Sequence, residues 1–216
     1  RYPLVTGVQT CALPISMQDG TRASCADGQV YTVGAGVSWL QRIGVIERPE
    51  DLDELGMQVT DSAGVLCVPS LAGTGAPVWD PQARGTWTGL SLTTTRAHLV
   101  RSFCEGIAAQ VALLAHAVAD DLGTPLTRLR VDGGLTRSEL VMQTQADLLG
   151  IPVEVYPHPC ATALGIAALT VRGLLGPGSE DGIVAGWRPA RVYEPGPGAD
   201  QARRLLERFE VELRGS

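Results

Sequence analysis

The stretch Leu129-Arg-Val-Asp-Gly-Gly134 limits the fold more than any other part of the chain. A run patterned by Leu126, Leu129 and Val131 stops at an acid and two glycines, and Thr136-Arg-Ser-Glu139 then opens an amphipathic stretch. A β-branched strand that runs into Asp-Gly-Gly and then a helix lets backbone approach a ligand closely. Thr136 and Glu139 have the spacing of a capping box, which marks the helix start. A helix N-terminus also offers N–H groups and the positive end of a dipole to an anion or a nucleotide. An ordinary tight turn between strand and helix would have the same composition, so the ligand reading needs support from the rest of the chain.

Downstream, the helix expected from Arg137 carries Leu140, Val141, Leu148 and Leu149 and stops at Gly150, with Pro152 beyond. Val153-Glu-Val-Tyr156 reads as the next strand, and residues 161–171 as a helix of small residues suited to lying close against a sheet. Strand, helix, strand, helix between residues 126 and 171 describes right-handed crossovers in a parallel sheet, hence an α/β fold. Residues 173–198 read as glycine- and proline-rich loop, and 202–213 as a charged terminal helix.

Upstream, Leu99, Phe103, Ile107, Val111, Leu114, Val118 and Leu122 step by four or three, which predicts a helix over 95–122 with a core stripe. Glu105 and His116 fall off that stripe and read as surface groups. Residues 64–69 and 86–92 read as short strands, with Pro69 ending the first. Between them, residues 70–85 hold glycines, prolines and Trp79, an irregular backbone pinned by an aromatic, of the kind that more often serves a site than merely connects. Gln29-Val-Tyr-Thr-Val33 is a strand candidate leading into a helix with Val37, Leu40 and Ile43 at helical spacing. Gly34 and Gly36 bring backbone near whatever lies above the strand end, or pack that helix closely on a neighbour. Residues 49–55 read as an acidic helix whose charges form a solvated face.

The formal charge of −6 argues against nucleic acid as a partner, since such a footprint needs a basic face. All 17 basic residues are arginine, so a P-loop, which needs its lysine, is excluded. The five cysteines, Cys11, Cys25, Cys67, Cys104 and Cys160, are odd in number and never spaced C-x-x-C, as expected of reduced thiols in a cytoplasm. His98, His116 and His158 share no ligand-like spacing with a cysteine, so no metal site made of protein ligands is expected. No apolar run approaches the roughly 18 residues that a membrane span requires.

Four stretches together support a family. Gly73-Thr-Gly-Ala-Pro-Val-Trp-Asp-Pro-Gln-Ala-Arg-Gly85, Arg130-Val-Asp-Gly-Gly134, Met142-Gln-Thr-Gln-Ala-Asp147 and Ala161-Thr-Ala-Leu-Gly165 stand in the order seen in carbohydrate kinases of the FGGY family. Over roughly residues 27–176 the chain resembles the C-terminal domain of that family, and within it the members that phosphorylate glycerol. The resemblance implies the actin-like, ribonuclease-H-like fold of α/β domains, a mixed sheet flanked by helices, with ATP in a cleft and Mg²⁺ bound mainly through ATP. It also implies nucleotide-binding positions: Gly34 and Ser38 on one segment, Gly133 and Gly134 at the turn beside the adenosine, and Ser138 four residues past the second glycine. Ser138 stands where asparagine is usual, and Ser38 where some members have glutamine.

The same resemblance implies that the family's catalytic aspartate, its glycerol-binding groups and its phosphate-binding turn lie upstream of the segment like Asp27. No residue of this chain is therefore assigned as catalytic base or metal ligand, and the chain is read as a truncated kinase without activity of its own. Its first core strands would be missing too, leaving a sheet edge unpaired. The expected division is 1–16 non-native or disordered, 17–176 the kinase domain, and 177–216 its closing loop and helix. Residues 1–16 resemble a translated sequencing adapter; a native N-terminal strand is the other reading. The implied substrate is a polyol or sugar, glycerol first, with xylulose as an alternative, and assembly of identical chains is left open. A reading from a different class is a non-catalytic nucleotide-binding or interaction module of the actin-like superfamily.

Overall fold

A computed structural model describes residues 11–16, 22–31, 33–158, 160–184 and 187–215. The first elements are β1 (Cys11–Ser16) and β2 (Arg22–Asp27), an antiparallel pair in which Cys11 faces Asp27 and Ser16 faces Arg22. The segment set aside in the sequence as non-native or disordered thus contributes a paired strand over its described part. Residues 1–10 lie outside the described residues. The strand expected at 29–33 is not one: residues 28–31 carry no regular structure, and Val33 already begins a helix. Tyr31 and Val33 favour a strand by local propensity, but the residues that find a pairing partner are the preceding ones, Arg22–Asp27.

Two helices follow, α1 (Val33–Arg42) and α2 (Asp51–Gly56), then the antiparallel pair β3 (Leu66–Val68) and β4 (Thr86–Thr88). The loop between these strands closes on itself: Thr74 N–H donates to the Asp80 carbonyl at 2.8 Å, and Asp80 N–H donates to the Thr74 hydroxyl at 3.0 Å. Trp79, expected to pin the loop, is half exposed, and its backbone N–H donates to the Gly75 carbonyl at 2.9 Å. Trp39 of α1 stacks on Trp87 of β4 with ring centroids 5.7 Å apart, and Trp87 Nε1–H donates to the Ser102 hydroxyl at 3.1 Å.

The long helix α3 (Arg96–Leu122) starts at Thr95, whose backbone N–H donates to His98 Nδ1 at 3.0 Å, and ends at Gly123 in the left-handed region. Its length and composition would suffice to cross a membrane, yet most of it is buried in the fold, which is the character of a core helix. Residues 102–110 are buried on every side, because α2, β3, α7 (Ala199–Gly215) and α4 (Glu139–Leu149) all pack on it. The expected single stripe is therefore too narrow. Glu105, expected on the surface, is only 7% exposed and pairs with Arg101 Nε at 2.9 Å. His116 is exposed, as expected. Phe103 and Ile107 are fully enclosed, each contributing about 1.5–3 kcal/mol of apolar burial.

The second half builds the sheet that carries the corner. Strands β5 (Leu129–Val131), β6 (Val153–Val155) and β7 (Arg191–Tyr193) lie in the order β5-β6-β7, the first pair parallel and the second antiparallel. Helix α4 connects the parallel pair and packs on α3. The stretch 173–198, expected as loop, contains both the short helix α6 (Asp181–Val184) and β7, whose three residues are too few to show a period. Helix α5 (Ala161–Leu175) does not lie close against the sheet: Ile166, Leu169, Leu174 and Leu175 are exposed, and only Ala168 is buried. Helix α7 matches the expected terminal helix and buries Ala202, Phe209 and Leu213.

Candidate functional site

A cleft of about 730 Å³ opens between three segments, within the size range typical of small-molecule sites. Helix α1 contributes Gly34, Val37, Ser38 and Gln41. The approach to α2 and its first turn contribute Pro49, Glu50, Leu52, Asp53 and Glu54. The corner after β5 contributes Asp132, Gly134, Leu135, Arg137 and Ser138. Of the positions expected at a nucleotide, Gly34, Ser38, Gly134 and Ser138 are thus brought to one cavity from segments far apart in the chain. Gly133, the remaining one, sits at the corner beside it and does not line it.

Each glycine has its own reason. Gly36 is the one that packs α1 down: a Cβ there would stand 2.8 Å from Phe103 Cζ. Gly34, on the turn before it, is exposed toward the cleft with nothing within 4 Å of its missing side chain. The packing reading of that segment therefore holds at Gly36, while Gly34 stands open on the cleft side. At the corner, Gly133 adopts φ 106° and ψ 178°, a region essentially closed to other residues, and turns the chain from β5 into the 3-10 turn Gly134–Arg137. Thr136 Oγ1 donates back to the Gly133 carbonyl at 2.7 Å, which fixes the turn.

The helix start differs from the expected capping box. Thr136 caps nothing; Ser138 is the N-cap of α4, accepting from Val141 N–H at 3.3 Å, and the helix begins at Glu139 rather than at Arg137. The remaining amides of the first turn are taken by Asp53 of α2. Its carboxylate accepts from Glu139 N–H at 2.6 Å, from Leu140 N–H at 3.3 Å and from the Ser138 hydroxyl at 2.5 Å. The first-turn donors of α4 are thereby filled from within the protein, so this helix end does not present them to an anion. Ser138 is only 7% exposed and its hydroxyl both accepts and donates already. It lines the cleft as a wall, a shorter side chain than the asparagine that the family resemblance leads one to expect there. Ser38 is exposed, with its hydroxyl 3.4 Å from the Gly34 carbonyl, a weak contact that leaves it facing the cavity.

The acidic stretch before and within α2, expected as a solvated face, is structural in two of its members. Asp51 accepts from Glu47 and Arg48 N–H at 2.7 and 3.0 Å, and these backbone bonds hold its carboxyl below the usual range. Asp53 bridges to α4. No sequence signal connects Asp53 to a partner 85 residues away, so pattern reading passes over it. Asp132 completes the corner: it is exposed at the end of β5, and its Oδ2 accepts from Ala161 N–H at the start of α5 at 3.3 Å. Among the described residues no three His, Cys, Asp or Glu side chains gather as a metal cage.

The model of the FGGY family of carbohydrate kinases, C-terminal domain, matches residues 8–174. A glycerol kinase of Bordetella parapertussis is 44% identical over 190 residues, covering 87% of this chain and 37% of that protein. The crystal structure of Plasmodium falciparum glycerol kinase with ADP superposes with a TM-score of 0.77 at 26% identity, over 92% of this chain and 39% of that one. A xylulose kinase of Rhodospirillum rubrum gives 0.70 at 31% identity, over 89% and 39%. The chain therefore spans well under half the length of these relatives.

Proposed function

The chain belongs to the FGGY family of carbohydrate kinases, whose fold is the actin-like, ribonuclease-H-like α/β arrangement, and we propose that its cleft is the adenine-nucleotide side of such an enzyme. The observation that carries this reading is the convergence of Gly34, Ser38, Gly134 and Ser138 on one cavity of about 730 Å³. Glycine backbone at Gly34 and at the corner leaves flat, uncrowded walls of the kind a purine needs, with Val37, Leu52 and Leu135 as apolar lining. The whole protein would transfer the γ-phosphate of ATP to a polyol or sugar hydroxyl. The 44% identity to the Bordetella parapertussis protein supports glycerol, giving glycerol 3-phosphate. The 31% identity to the Rhodospirillum rubrum protein supports a ketose such as xylulose as the second reading.

Phosphoryl transfer is mostly positioning and charge stabilisation, with a base on the attacking hydroxyl and a metal bridge to the phosphates. This chain's residues supply positioning: the walls hold the nucleoside, and the filled α4 terminus turns the polyphosphate away from the corner. Mg²⁺ prefers one or two carboxylates together with phosphate oxygens and water, rather than a cage. Asp53 is committed to the start of α4 and Asp132, at the corner, accepts from Ala161 N–H, so the ion is assigned to the phosphates and to no carboxylate of this cleft. When bound, the ion would neutralise charge on the phosphates. The base and the carbohydrate-binding groups we assign, from the family resemblance, to the part of the whole protein outside this segment, and the compartment we propose is the cytoplasm.

Calorimetric titration of the 216-residue chain with ADP tests the site; no heat of binding at millimolar ADP would sink it. The substrate is tested on the full-length gene product, by ATP turnover against glycerol and xylulose. Preference for the ketose would replace glycerol.

A further inference from the structure

The least expected feature of the cleft is a carboxylate seated where a ligand anion would otherwise go. Asp53 reaches from α2 to the start of α4 and takes three donors there: the Ser138 hydroxyl at 2.5 Å and the Glu139 and Leu140 amides at 2.6 and 3.3 Å. A helix N-terminus favours negative charge, and charge-assisted bonds of this length are the strong kind. Ser138 uses its other capacity to cap Val141, so the first turn of α4 is saturated by side chains of the protein itself. Asp53 also lines the cavity, and the Gly133-to-Ser138 corner lies directly before the amides that it holds.

We propose that Asp53 is a positioning residue of the nucleotide site, an internal anion that locks the corner onto α2 and bars phosphate from the N-terminus of α4. Two consequences follow from one contact. The corner is fixed relative to the α1–α2 wall, so the slot for a neutral nucleoside is preformed. The positive helix end, already neutralised, cannot draw the polyphosphate inward, so the nucleotide is oriented with its nucleoside at the corner and its phosphates away from it. This rests on the reading of the cleft as a nucleotide site.

The test compares Asp53→Ala with the unsubstituted chain, measuring adenosine and ADP affinity by calorimetry and the thermal shift given by inorganic phosphate. Loss of a charge-assisted hydrogen-bond set is expected to weaken adenosine binding by about tenfold. Phosphate, which does little to the parent chain, is expected to raise the melting temperature of Asp53→Ala by filling the vacated donors. Phe209→Leu, a truncation in the core under α7 that shares no residue with the cleft lining, separates this from general destabilisation: it lowers the melting temperature and leaves adenosine affinity unchanged. Should Asp53→Ala not fold, Asp53→Asn and Ser138→Ala carry the same comparison, with smaller losses that are less than additive in the double variant. Adenosine affinity within about twofold of the parent, with no new response to phosphate, overturns the proposal and leaves the site reading intact. Failure of the parent chain to bind adenosine or ADP overturns both.

Discussion

Arg101 and Glu105 meet one turn apart on α3, Arg101 Nε donating to Glu105 Oε1 at 2.9 Å with both side chains largely shielded from water. Arg101 also donates to the Val59 carbonyl at 2.9 Å, tying the segment after α2 to the core helix. Burial raises the Glu105 carboxyl above its ordinary value, opposed by the Arg101 charge and by hydrogen bonds from Ser62 and Arg101. Arg101→Met strands that carboxylate and is expected to cost about 3 kcal/mol in urea unfolding, whereas Glu105→Gln, which keeps an acceptor, costs much less. A loss under about 0.5 kcal/mol for Arg101→Met would show that the pair is not holding this region.

The same group sets a pH dependence. A carboxyl whose folded pKa is raised binds its proton more readily folded than unfolded. Its contribution to stability is full below the unfolded value and is lost as pH rises through the folded one. The parent chain should therefore gain on Glu105→Gln as pH falls from neutral toward the ordinary glutamate value of 4.5. A stability difference that stays flat, or moves the other way, across that interval would contradict the burial of the charge.

Gly106→Ala should be among the most damaging small changes. A Cβ there would stand 2.2 Å from the Cys67 carbonyl oxygen, so α3 could not lie on β3 as it does. Moving main chain costs about 1–3 kcal/mol and outweighs the roughly 1 kcal/mol by which alanine favours a helix. A midpoint in urea equal to the parent's would mean the two elements are further apart.

Gly133→Ala and Gly134→Ala separate torsion from space. An added carbon meets nothing within 4 Å at Gly133 and only Arg137 Nη2 at 3.8 Å at Gly134, but only Gly133 has a positive φ. Gly133→Ala should cost about 1–3 kcal/mol and weaken ADP binding, with Gly134→Ala close to neutral in stability. Equal melting temperatures for the two variants would remove the torsional argument.

Of the thiols at Cys67, Cys104 and Cys160, alkylation of the native chain should modify Cys160 first. Cys160 is exposed, while Cys67 and Cys104 are buried and burial pushes both thiols far up, away from the reactive thiolate. Peptide mass spectrometry after brief iodoacetamide treatment reads the order. Early labelling of Cys104 would mean that α3 is not enclosed.

The long-range pattern was legible where period and punctuation agree. The extent of α3, the stop of α4 at Gly150 and the parallel pairing of β5 with β6 follow from apolar spacing, glycine C-caps and strand–helix alternation. The corner was legible too, because only glycine satisfies the backbone at Gly133. Contacts between distant polar residues were not: Asp53 looks like any exposed helix acid until Ser138 is seen opposite, and Glu105 hides inside a helix buried on all sides. The strand at 191–193 and the pairing of Arg22–Asp27 with Cys11–Ser16 are set by neighbours in space, which local propensity does not record.

The stacked indoles of Trp39 and Trp87 have an optical consequence. Trp39 follows Ser38 on the wall of the cleft, while Trp87 is anchored on β4 through Ser102. Excitation in the near ultraviolet therefore samples, beside Trp79 and Trp187, a pair with one member on the ligand-wall helix and the other on fixed scaffold. Any ligand that shifts α1 will alter the emission of this pair without a dye attached, and one that leaves its spectrum untouched has found the wall already in place.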